Sequence, residues 1–253
     1  MRLPHPLYGL YERRLAASLS RDRIPRHVGV ILDGNRRWAR SSGTDTHGGY
    51  RAGADKISEL LAWSEDVGVE VVTLWMLSTD NLHRPADELE GLLAVIDDAV
   101  RGLAATRRWR VQAVGSLELL PEHTAQALRD AEEATRDVTG VHVNVAVGYG
   151  GRREIADAVR AYLRDAAAQG LSLDEMAESF DVEHIAAHLY TKGQPDPDLV
   201  IRTSGEQRLG GFLLWQSAHS EFYFCEAFWP DFRRVDFLRA VRDYAARERR
   251  LGR

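Results

Sequence analysis

Short apolar runs alternate along this chain with longer segments of helical periodicity, and no other feature of the sequence constrains the fold as strongly. The runs have the length of buried strands, and both of their faces are hydrophobic, which is typical of central strands in a parallel sheet. Strands are predicted at 27–32, 70–77, 109–114, 141–147, 199–201 and 222–224. Helices are predicted at 6–20, 49–67, 87–105, 121–137, 151–170, 172–179, 182–191 and 235–250. The pattern predicts an α/β fold with a mostly parallel central sheet that is covered by helices on both faces.

No repeat, low-complexity tract or linker divides the chain, so one domain is predicted. Residues 1–24 form an N-terminal amphipathic helix in this prediction, and residues 25–253 form the main domain. Two local signals set helix ends. Gly68 is a usual stop signal for the helix before it. Asp87 and Glu90 form a D-x-x-E capping pattern that predicts a helix start.

Composition narrows the class of protein. The formal net charge is −5 and the isoelectric point is near 6.0, so nucleic acid is not expected as a partner. A single cysteine, Cys225, excludes an internal disulfide, which fits a reducing cytoplasm. The apolar runs are far shorter than the ~20 residues that span a bilayer. We expect a cytoplasmic protein, and the sequence leaves peripheral contact with the plasma membrane open.

The first predicted strand ends at the segment Asp33-Gly34-Asn35-Arg36-Arg37-Trp38. Glycine lets the backbone approach an anion, and the N–H groups that open the next helix can point at phosphate oxygens. The two arginines add multidentate donors. An aspartate among anion binders indicates a bridging cation, and Mg²⁺ typically binds one or two carboxylates together with phosphate oxygens and water. A charged tight turn is the alternative, because Asp-Gly is a common turn pair, and this loop alone leaves both interpretations open.

Three further loops follow strands, and ligands of such sheets lie outside the carboxyl ends of the strands. Loop 78–85 combines hydroxyls, a carboxylate, an amide and an arginine, although the same residue types also cap helices. In loop 202–212, Arg202 and Arg208 flank a Gly/Ser/Thr stretch that suits a second anion, unless Glu206 neutralises them in an ion pair. Loop 148–154 lacks the third glycine of a dinucleotide fingerprint, so a close helix–sheet turn is predicted there.

Arginines thus recur at three strand ends, although the whole protein is acidic. Positive charge is concentrated where the predicted fold places ligands, which favours a substrate with two phosphate clusters. Glu221 lies beside three aromatic residues, where a carboxylate needs a partner or a metal.

These segments resemble the cis-prenyltransferases, the undecaprenyl diphosphate synthase family, from about Pro25 to Arg250. The matching motifs are D-G-N with R-W-A at 33–39, S-x-x-N with R-P at 78–85, Asn144 with Y-G-G-R at 149–152, I-R-T with G-E and Arg208 at 201–208, F-L-L-W-Q at 212–216, Glu221, W-P-D-F at 229–232 and R-E-R-R at 247–250. The D-D-x-x-D motif expected of trans-prenyltransferases is missing, which agrees with this resemblance.

The resemblance implies a homodimer that uses Mg²⁺ to condense isopentenyl diphosphate with an allylic diphosphate, forming a cis double bond, with residues 25–253 as the catalytic domain. It implies that Asp33 and Asn81 are the catalytic residues, and that Asp33 and Glu221 bind the metal. The family assigns proton abstraction and substrate orientation to the position of Asn81, and we interpret this residue as an orienting group because an amide is a poor base. The resemblance further implies a set of substrate-binding residues: Gly34, Asn35, Arg36, Arg37, Trp38, Tyr50, Ser78, Thr79, Asp80, Arg84, Arg202, Arg208, Leu209 and Gly210.

Several positions depart from the family pattern. Tyr50 stands where a phosphate-site histidine is usual, and Thr46 aligns near a usual arginine, for which Arg51 and His47 are candidate substitutes. Three more departures are Asp80 for a glutamate, Leu82 for an aromatic residue and Gly210 for a serine. The metal carboxylates and the core arginines are retained, so the resemblance still implies activity.

Met76 bears on product length, because long-chain members carry a small tunnel-lining residue at the matching position. A bulky residue at this position resembles the short-chain actinobacterial (Z,E)-farnesyl diphosphate synthases. The resemblance implies that the product is (2Z,6E)-farnesyl diphosphate, made from geranyl diphosphate. Met76 as an ordinary core residue is the alternative, and Val141, expected near the tunnel floor, is not especially large. A long-chain decaprenyl or undecaprenyl diphosphate synthase and a non-catalytic partner subunit of such a synthase stay open as other functions.

Overall fold

The central sheet has six strands in the order β3-β4-β2-β1-β5-β6 in the computed structural model, which describes residues 5–247. The strands are β1 (His27–Ile31), β2 (Val71–Ser78), β3 (Arg110–Val114), β4 (His142–Tyr149), β5 (Leu199–Arg202) and β6 (Glu221–Phe224). Neighbouring strands of this sheet pair in parallel, with Val30 level with Leu74 on one side and with Ile201 on the other. The prediction of an α/β fold with a parallel sheet is confirmed.

Helices connect the strands. They are α1 (His5–Ala17), α2 (Asn35–Ser42), α3 (Thr46–Val67), α4 (Ala86–Thr106), α5 (Glu122–Ala134), α6 (Gly151–Ala168), α7 (Leu173–Ser179), α8 (Val182–Ala186) and α9 (Arg234–Ala246). Gly68 ends α3 in the left-handed conformation, with φ at +94°, as predicted. Over residues 5–247, no helix is both long enough and apolar enough to cross a membrane.

Some predicted helix boundaries were wrong. The D-x-x-E pattern does not open α4, because Pro85 takes the N-cap position and Asp87 lies inside the first turn. Proline suits a helix start, since its missing N–H would have no partner there. α8 ends at Ala186 rather than near 191, and α1 ends at Ala17 rather than at 20. α9 ends at Ala246, and the predicted continuation over 248–250 lies outside the described residues.

The two faces of the sheet pack differently. One face carries valine and leucine side chains such as Val28, Val72 and Val143 against a large core built from α3, α4, α5 and α9. The other face carries Ile31 and Val200 against a smaller cluster that contains Phe212 and Leu213. Burial of this apolar surface on both sides is the main contribution to stability.

A buried line of polar side chains crosses the second face near the amino ends of the strands. His27 Nε2 lies 2.8 Å from Thr73 Oγ1, and Asn144 Nδ2 donates to Thr73 Oγ1 at 2.9 Å and to Gln194 Oε1 at 2.7 Å. Burial lowers the pKa of His27 to about 4, so the ring is neutral at pH 7. These hydrogen bonds give the buried polar groups of the sheet their partners and fix the 190–197 segment on this face of the sheet.

The strand order fixes where a ligand can bind. After β1 the chain passes to β2 on one side, and it later returns to β5 on the other side of β1. Loops that follow β1, β2 and β5 therefore meet around the carboxyl end of β1, which is the usual position of a ligand crevice in such folds.

Candidate active site

A pocket of about 480 Å³ opens at the carboxyl ends of β1, β2 and β5. The predicted residues that line it are Asp33, Gly34, Asn35, Arg36, Arg37, Tyr50, Met76, Ser78, Asp80, Asn81, Arg84, Arg202, Arg208 and Gly210. Residues that had not been predicted to bind substrate complete the wall: Ile31, Leu32, Arg40, Trp75, Leu92 and Glu206. The fold thus brings three of the four strand-end loops into one site.

Gly34 shapes the first loop. It adopts φ +107°, and a Cβ there would lie 2.9 Å from Phe228 Cδ1 and 3.0 Å from Ser204 Cβ. Only glycine fits such a conformation and such close neighbours. Thr203 fixes the same loop, because its hydroxyl donates to the Asp33 carbonyl at 2.7 Å and accepts from the Asp33 N–H at 3.0 Å. α2 begins at once at Asn35, so its first N–H groups face the pocket end of β1.

The Asp33 carboxylate lies between two arginines, Arg37 of α2 and Arg202 at the end of β5. Arg202 Nη2 donates to its Oδ2 at 2.9 Å, and Arg37 Nη2 approaches its Oδ1 at 3.3 Å. Partial burial alone would raise the pKa of Asp33, but the two guanidiniums outweigh it and the pKa lies below its usual value. Asp33 is therefore ionised at neutral pH, as a metal ligand must be.

The Arg202 side chain also contacts the backbone of the loop that follows β5. Its Nη1 donates to the Arg208 carbonyl, while its Nε is buried without a partner among the described residues. The side chain is only 8% exposed, so this cation is held in place. Arg208 itself is open to solvent and pairs with Glu206 at 3.3 Å. Glu206 pairs with Arg37 as well, so the predicted structural ion pair forms with Arg208 but not with Arg202, which pairs with Asp33 instead.

A second cluster of polar groups, missed by the sequence analysis, surrounds Glu88. Its Oε1 accepts from the Tyr50 hydroxyl at 2.6 Å and lies 3.3 Å from Arg84 and 3.4 Å from Arg36. Arg84 Nη1 also donates to the Tyr50 oxygen at 2.7 Å. Burial first, and Glu88 second, raise the pKa of Tyr50 well above its usual value, so its hydroxyl keeps its proton. The available signal was the i,i+4 spacing of Arg84 and Glu88.

In loop 78–85, both interpretations apply to different residues. Ser78 Oγ accepts from the Asn81 N–H at 3.2 Å and so caps the short 3₁₀ helix Thr79–His83. Asp80 and Asn81 line the pocket, whereas Thr79 packs against Gly150 and does not. The loop is therefore both a capping structure and a wall of the site.

Asn35 explains a glycine in α3. Its Oδ1 is buried without a hydrogen-bond partner, and its Nδ2 donates to the Leu32 carbonyl at 3.2 Å. A Cβ at Gly53 would overlap that oxygen and lie 2.9 Å from Trp229 Cδ1. Trp229 Nε1 donates to the Gly53 carbonyl at 2.7 Å, which fixes the helix at this point. The buried amide oxygen thus faces Gly53, and a side chain at position 53 would displace it.

Behind the pocket lies a small apolar cavity of about 30 Å³ between α3 and α4. Its lining is Leu32, Asn35, Tyr50, Gly53, Ala54, Ile57, Met76, Leu92, Val95, Ile96 and Trp229. Met76 and Leu92 line both spaces, so they stand at the passage between them. Val141 is buried just before β4 and does not line the cavity.

Some predicted site residues lie elsewhere in the chain. Glu221 opens β6 level with Leu199, and the four-residue strand, about 10 Å long, separates it from the carboxyl-end pocket. It pairs there with Arg247, so within one chain it does not join Asp33. Leu209 packs in the second-face cluster, and Trp38 does not line the pocket.

The candidate substitutes for the usual phosphate ligands lie outside the pocket as well. Arg51 lines a separate groove between α3 and α4, and neither Thr46 nor His47 reaches the pocket wall. Instead Arg40, at the end of α2, supplies a further cation to the lining.

Loop 148–154 forms a close turn between β4 and α6, as predicted. The Gly151 N–H donates to the Gly211 carbonyl at 2.9 Å, and a Cβ on Gly151 would collide with Leu214. Glu154 in α6 is fully buried and accepts from the Tyr149 hydroxyl at 2.5 Å and from Gln216 at 3.0 Å. The turn thus anchors the segment that follows Gly210.

Known proteins match this chain over nearly its full length. The model of a family described as putative undecaprenyl diphosphate synthase matches residues 31–252. A (2Z,6E)-farnesyl diphosphate synthase of Thermobifida fusca is 64% identical over 248 residues, which cover 98% of this chain and 97% of that protein. Isoprenyl transferase 1 of Streptomyces avermitilis is 60% identical, with 97% and 96% covered. The crystal structure of lavandulyl diphosphate synthase from Lavandula x intermedia, in complex with dimethylallyl diphosphate, has a TM-score of 0.85 and 33% identity, covering 92% of this chain and 100% of that one.

Proposed function

Since this chain belongs to the undecaprenyl diphosphate synthase family of cis-prenyltransferases, we propose that it condenses isopentenyl diphosphate with geranyl diphosphate to give (2Z,6E)-farnesyl diphosphate. The observation that carries the proposal is the placement of Asp33 between Arg37 and Arg202, at the meeting point of two anion-binding loops. A reaction of two diphosphates needs two such cationic regions in one pocket.

Mg²⁺ is the proposed cofactor, and the residues fit its preferences. Across residues 5–247, no three His, Cys, Asp or Glu side chains are grouped as metal ligands. A lone ionised carboxylate at Asp33 suits an ion that takes one or two carboxylates and completes its shell with phosphate oxygens and water. When bound, Mg²⁺ would neutralise charge on the departing diphosphate.

The protein side chains have distinct roles in this proposal. Arg36, Arg37 and Arg40, with the N–H groups opening α2, bind the allylic diphosphate, whose C–O bond breaks with both electrons leaving on the diphosphate. Arg202 and Arg208 hold isopentenyl diphosphate, whose terminal alkene carbon attacks the allylic carbon. The attack leaves a positive charge on the branched carbon of the isopentenyl group. Loss of one proton from the carbon between that centre and the carbon that carries the diphosphate then forms the cis double bond. Asn81 orients the reacting diphosphate, and that diphosphate or a water takes the proton.

The side chains at the inner end of the pocket support a short product. Met76 and Leu92 stand at the passage into the space between α3 and α4, where their bulk narrows the path of a growing chain. Product length is tested by incubating the protein with Mg²⁺, labelled isopentenyl diphosphate and either geranyl or farnesyl diphosphate. A fifteen-carbon product is expected, and products well beyond that length would favour the long-chain alternative. Met76→Ala should lengthen the products, and unchanged products would remove Met76 from control of length.

Asp33 is tested by Asp33→Asn, which keeps the shape of the side chain and removes its charge. We expect kcat to fall at least about a hundredfold, the scale seen when one preplaced electrostatic contact is lost. Asp55→Asn on the exposed side of α3 is the matched control. Turnover near the wild-type rate in Asp33→Asn would contradict the assignment, and a wild type that forms no condensation product would refute the enzymatic proposal and favour a non-catalytic subunit.

We propose a homodimer as the assembly. β6 is an edge strand of the described sheet, and Phe222 and Phe224 stack on it with their ring centroids 6.2 Å apart. Phe224 is exposed and Phe222 is half-buried, and an edge strand with such aromatic surface favours cover by another chain. Glu221 stays a proposed metal ligand only in such a dimer. Sedimentation equilibrium tests the assembly, and a monomer at micromolar concentration would contradict it.

A cytoplasmic location and peripheral contact with the plasma membrane are also proposed. The buried, unpaired Cys225 suits a reducing compartment. Cell fractionation tests both points, because a peripheral protein should leave the membrane fraction in high salt or alkaline carbonate.

A further inference from the structure

The pocket contains two separate apolar surfaces. Leu32, Met76 and Leu92 line both the pocket and the inner cavity, so they continue into the space between α3 and α4. Ile31 and Trp75 line the pocket but not that cavity. If the proposed function holds, two hydrocarbon groups have to leave water in this site, the allylic chain and the isopentenyl group. The number of surfaces matches the number of groups.

Trp75 is held rigidly from behind. Its ring stacks on Phe212 with the centroids 5.2 Å apart and 14° between the planes, and it meets Tyr149 edge-on at 87°. Its Nε1 donates to the Tyr149 carbonyl at 3.4 Å. Phe212 and Tyr149 are themselves fully buried. A ring fixed in this way offers apolar surface to a ligand without losing side-chain freedom on binding.

Trp75 also lies beside the cationic region of loop 202–212. A Cβ at Gly210 would lie 3.3 Å from Trp75 Cζ3, 3.4 Å from Trp75 Cη2 and 3.4 Å from Arg202 Nη1. The edge of the indole and the guanidinium of Arg202 therefore flank the same point. Gly210 has φ +66° and no side chain, which leaves this point open, whereas the serine that is usual in the family would crowd the ring.

We propose that Trp75 is a specificity-determining residue that binds the isopentenyl hydrocarbon while Arg202 and Arg208 hold its diphosphate. The allylic chain occupies the other surface, at Met76 and Leu92. The indole turns the alkene toward the allylic carbon and excludes water from that side of the reaction. This inference rests on the proposed function and adds a residue to it.

The test measures binding without turnover. Calorimetry gives the affinities of isopentenyl diphosphate and of methyl diphosphate in the presence of Mg²⁺ and a non-ionising thiolo analogue of geranyl diphosphate. The ratio of the two affinities isolates the hydrocarbon contact, because the diphosphate contacts are shared. For the wild type we expect a ratio of at least about tenfold, since each buried methylene contributes on the order of 0.8 kcal/mol and about tenfold corresponds to 1.4 kcal/mol.

Trp75→Leu should bring the ratio below about threefold and leave the affinity for methyl diphosphate unchanged, whereas Trp75→Phe should keep most of the ratio. Trp215→Leu is the matched control, because Trp215 is also half-buried but lies outside the pocket, and it should keep the wild-type ratio. A wild-type ratio in Trp75→Leu overturns the inference, as does an equal loss of both affinities. If the wild type forms condensation product while Trp75→Leu keeps the ratio, only this inference fails. A wild type that binds neither diphosphate and forms no product overturns the proposed function with it.

Discussion

Gly53→Ala tests whether α3 supports the phosphate-binding loop. The new Cβ would overlap Asn35 Oδ1 and lie 3.1 Å from Asn35 Cγ and 2.9 Å from Trp229 Cδ1. α3 cannot move away freely, because the buried Trp229 indole donates to the Gly53 carbonyl at 2.7 Å. Asn35 must therefore turn and break its hydrogen bond to the Leu32 carbonyl.

The cost can be worked from these contacts. Overpacking of this kind costs about 1–3 kcal/mol, and the lost hydrogen bond about 1 kcal/mol more. Alanine regains about 1 kcal/mol over glycine inside a helix. The net loss in the free energy of unfolding is therefore about 1–3 kcal/mol, which corresponds to a decrease of roughly 2–12 °C in Tm for a chain of this size. Displaced Asn35 should also raise the KM for the allylic diphosphate.

Thermal unfolding and steady-state kinetics give the two readouts. Gly102→Ala in α4 is the control, because a Cβ there meets nothing within 4 Å, and it should leave KM unchanged and raise Tm slightly. Asn35→Ala removes one side of the overlap, so Gly53→Ala should cost less in that background. If Gly53→Ala behaves like Gly102→Ala in both readouts, the support assigned to Gly53 is refuted.

Two more predictions follow from the polar clusters. Burial lowers the pKa of His27 from 6.5 to about 4, so the contribution of the neutral ring to stability is complete above pH 6.5 and is lost as the pH falls toward 4. The full effect is about 3 kcal/mol. The variant His27→Gln should flatten the fall in the free energy of unfolding over this pH range, whereas His219→Gln at an exposed site should not. The variant Glu88→Ala removes the shared acceptor of Tyr50, Arg84 and Arg36 and should raise the KM for the allylic diphosphate several-fold. The KM of Glu88→Gln should be intermediate, and that of the control Glu90→Ala, at an exposed site, should be unchanged. An equal KM in Glu88→Ala and Glu90→Ala would contradict the role of the cluster.

The parts of the fold that follow from local pattern could be predicted from the sequence. Apolar runs such as 70–77 and the stop at Gly68 depend on neighbours along the chain, and the parallel sheet follows from their alternation. The predicted start of α4 was wrong. Asp87 and Glu90 fit a capping pattern, but Pro85 already takes the N-cap position two residues before Asp87. Where two local signals for a helix start disagree, the proline determines the start, because proline is tolerated in the first turn of a helix and not in its interior.

Of the candidate site, the sequence could predict only the residues that lie at or just after the ends of predicted strands. Asp33, Asn81 and Arg202 lie together because the carboxyl ends of parallel strands share an edge. Glu221 was assigned from resemblance, and its distance from Asp33 follows from its register at the amino end of β6, which no local pattern reveals. Trp75 stacks on Phe212, and Glu88 binds Tyr50 and Arg36, all more than thirty positions away in the chain, so the place of these two residues in the site required the folded structure.

The two substrate regions differ in the kind of scaffold that carries them. The pocket arginines come from α2, from the end of β5 and from the loops after β2 and β5, whereas the cavity behind Met76 is lined by the helix pair α3 and α4 through Ala54, Ile57 and Val95. Substitutions at these three helix positions change the hydrocarbon space and replace none of the side chains that line the cationic pocket. Within one architecture, the length of the hydrocarbon can therefore drift over evolutionary time while the chemistry stays constant, and a library confined to those three helix positions is a direct route to altered products.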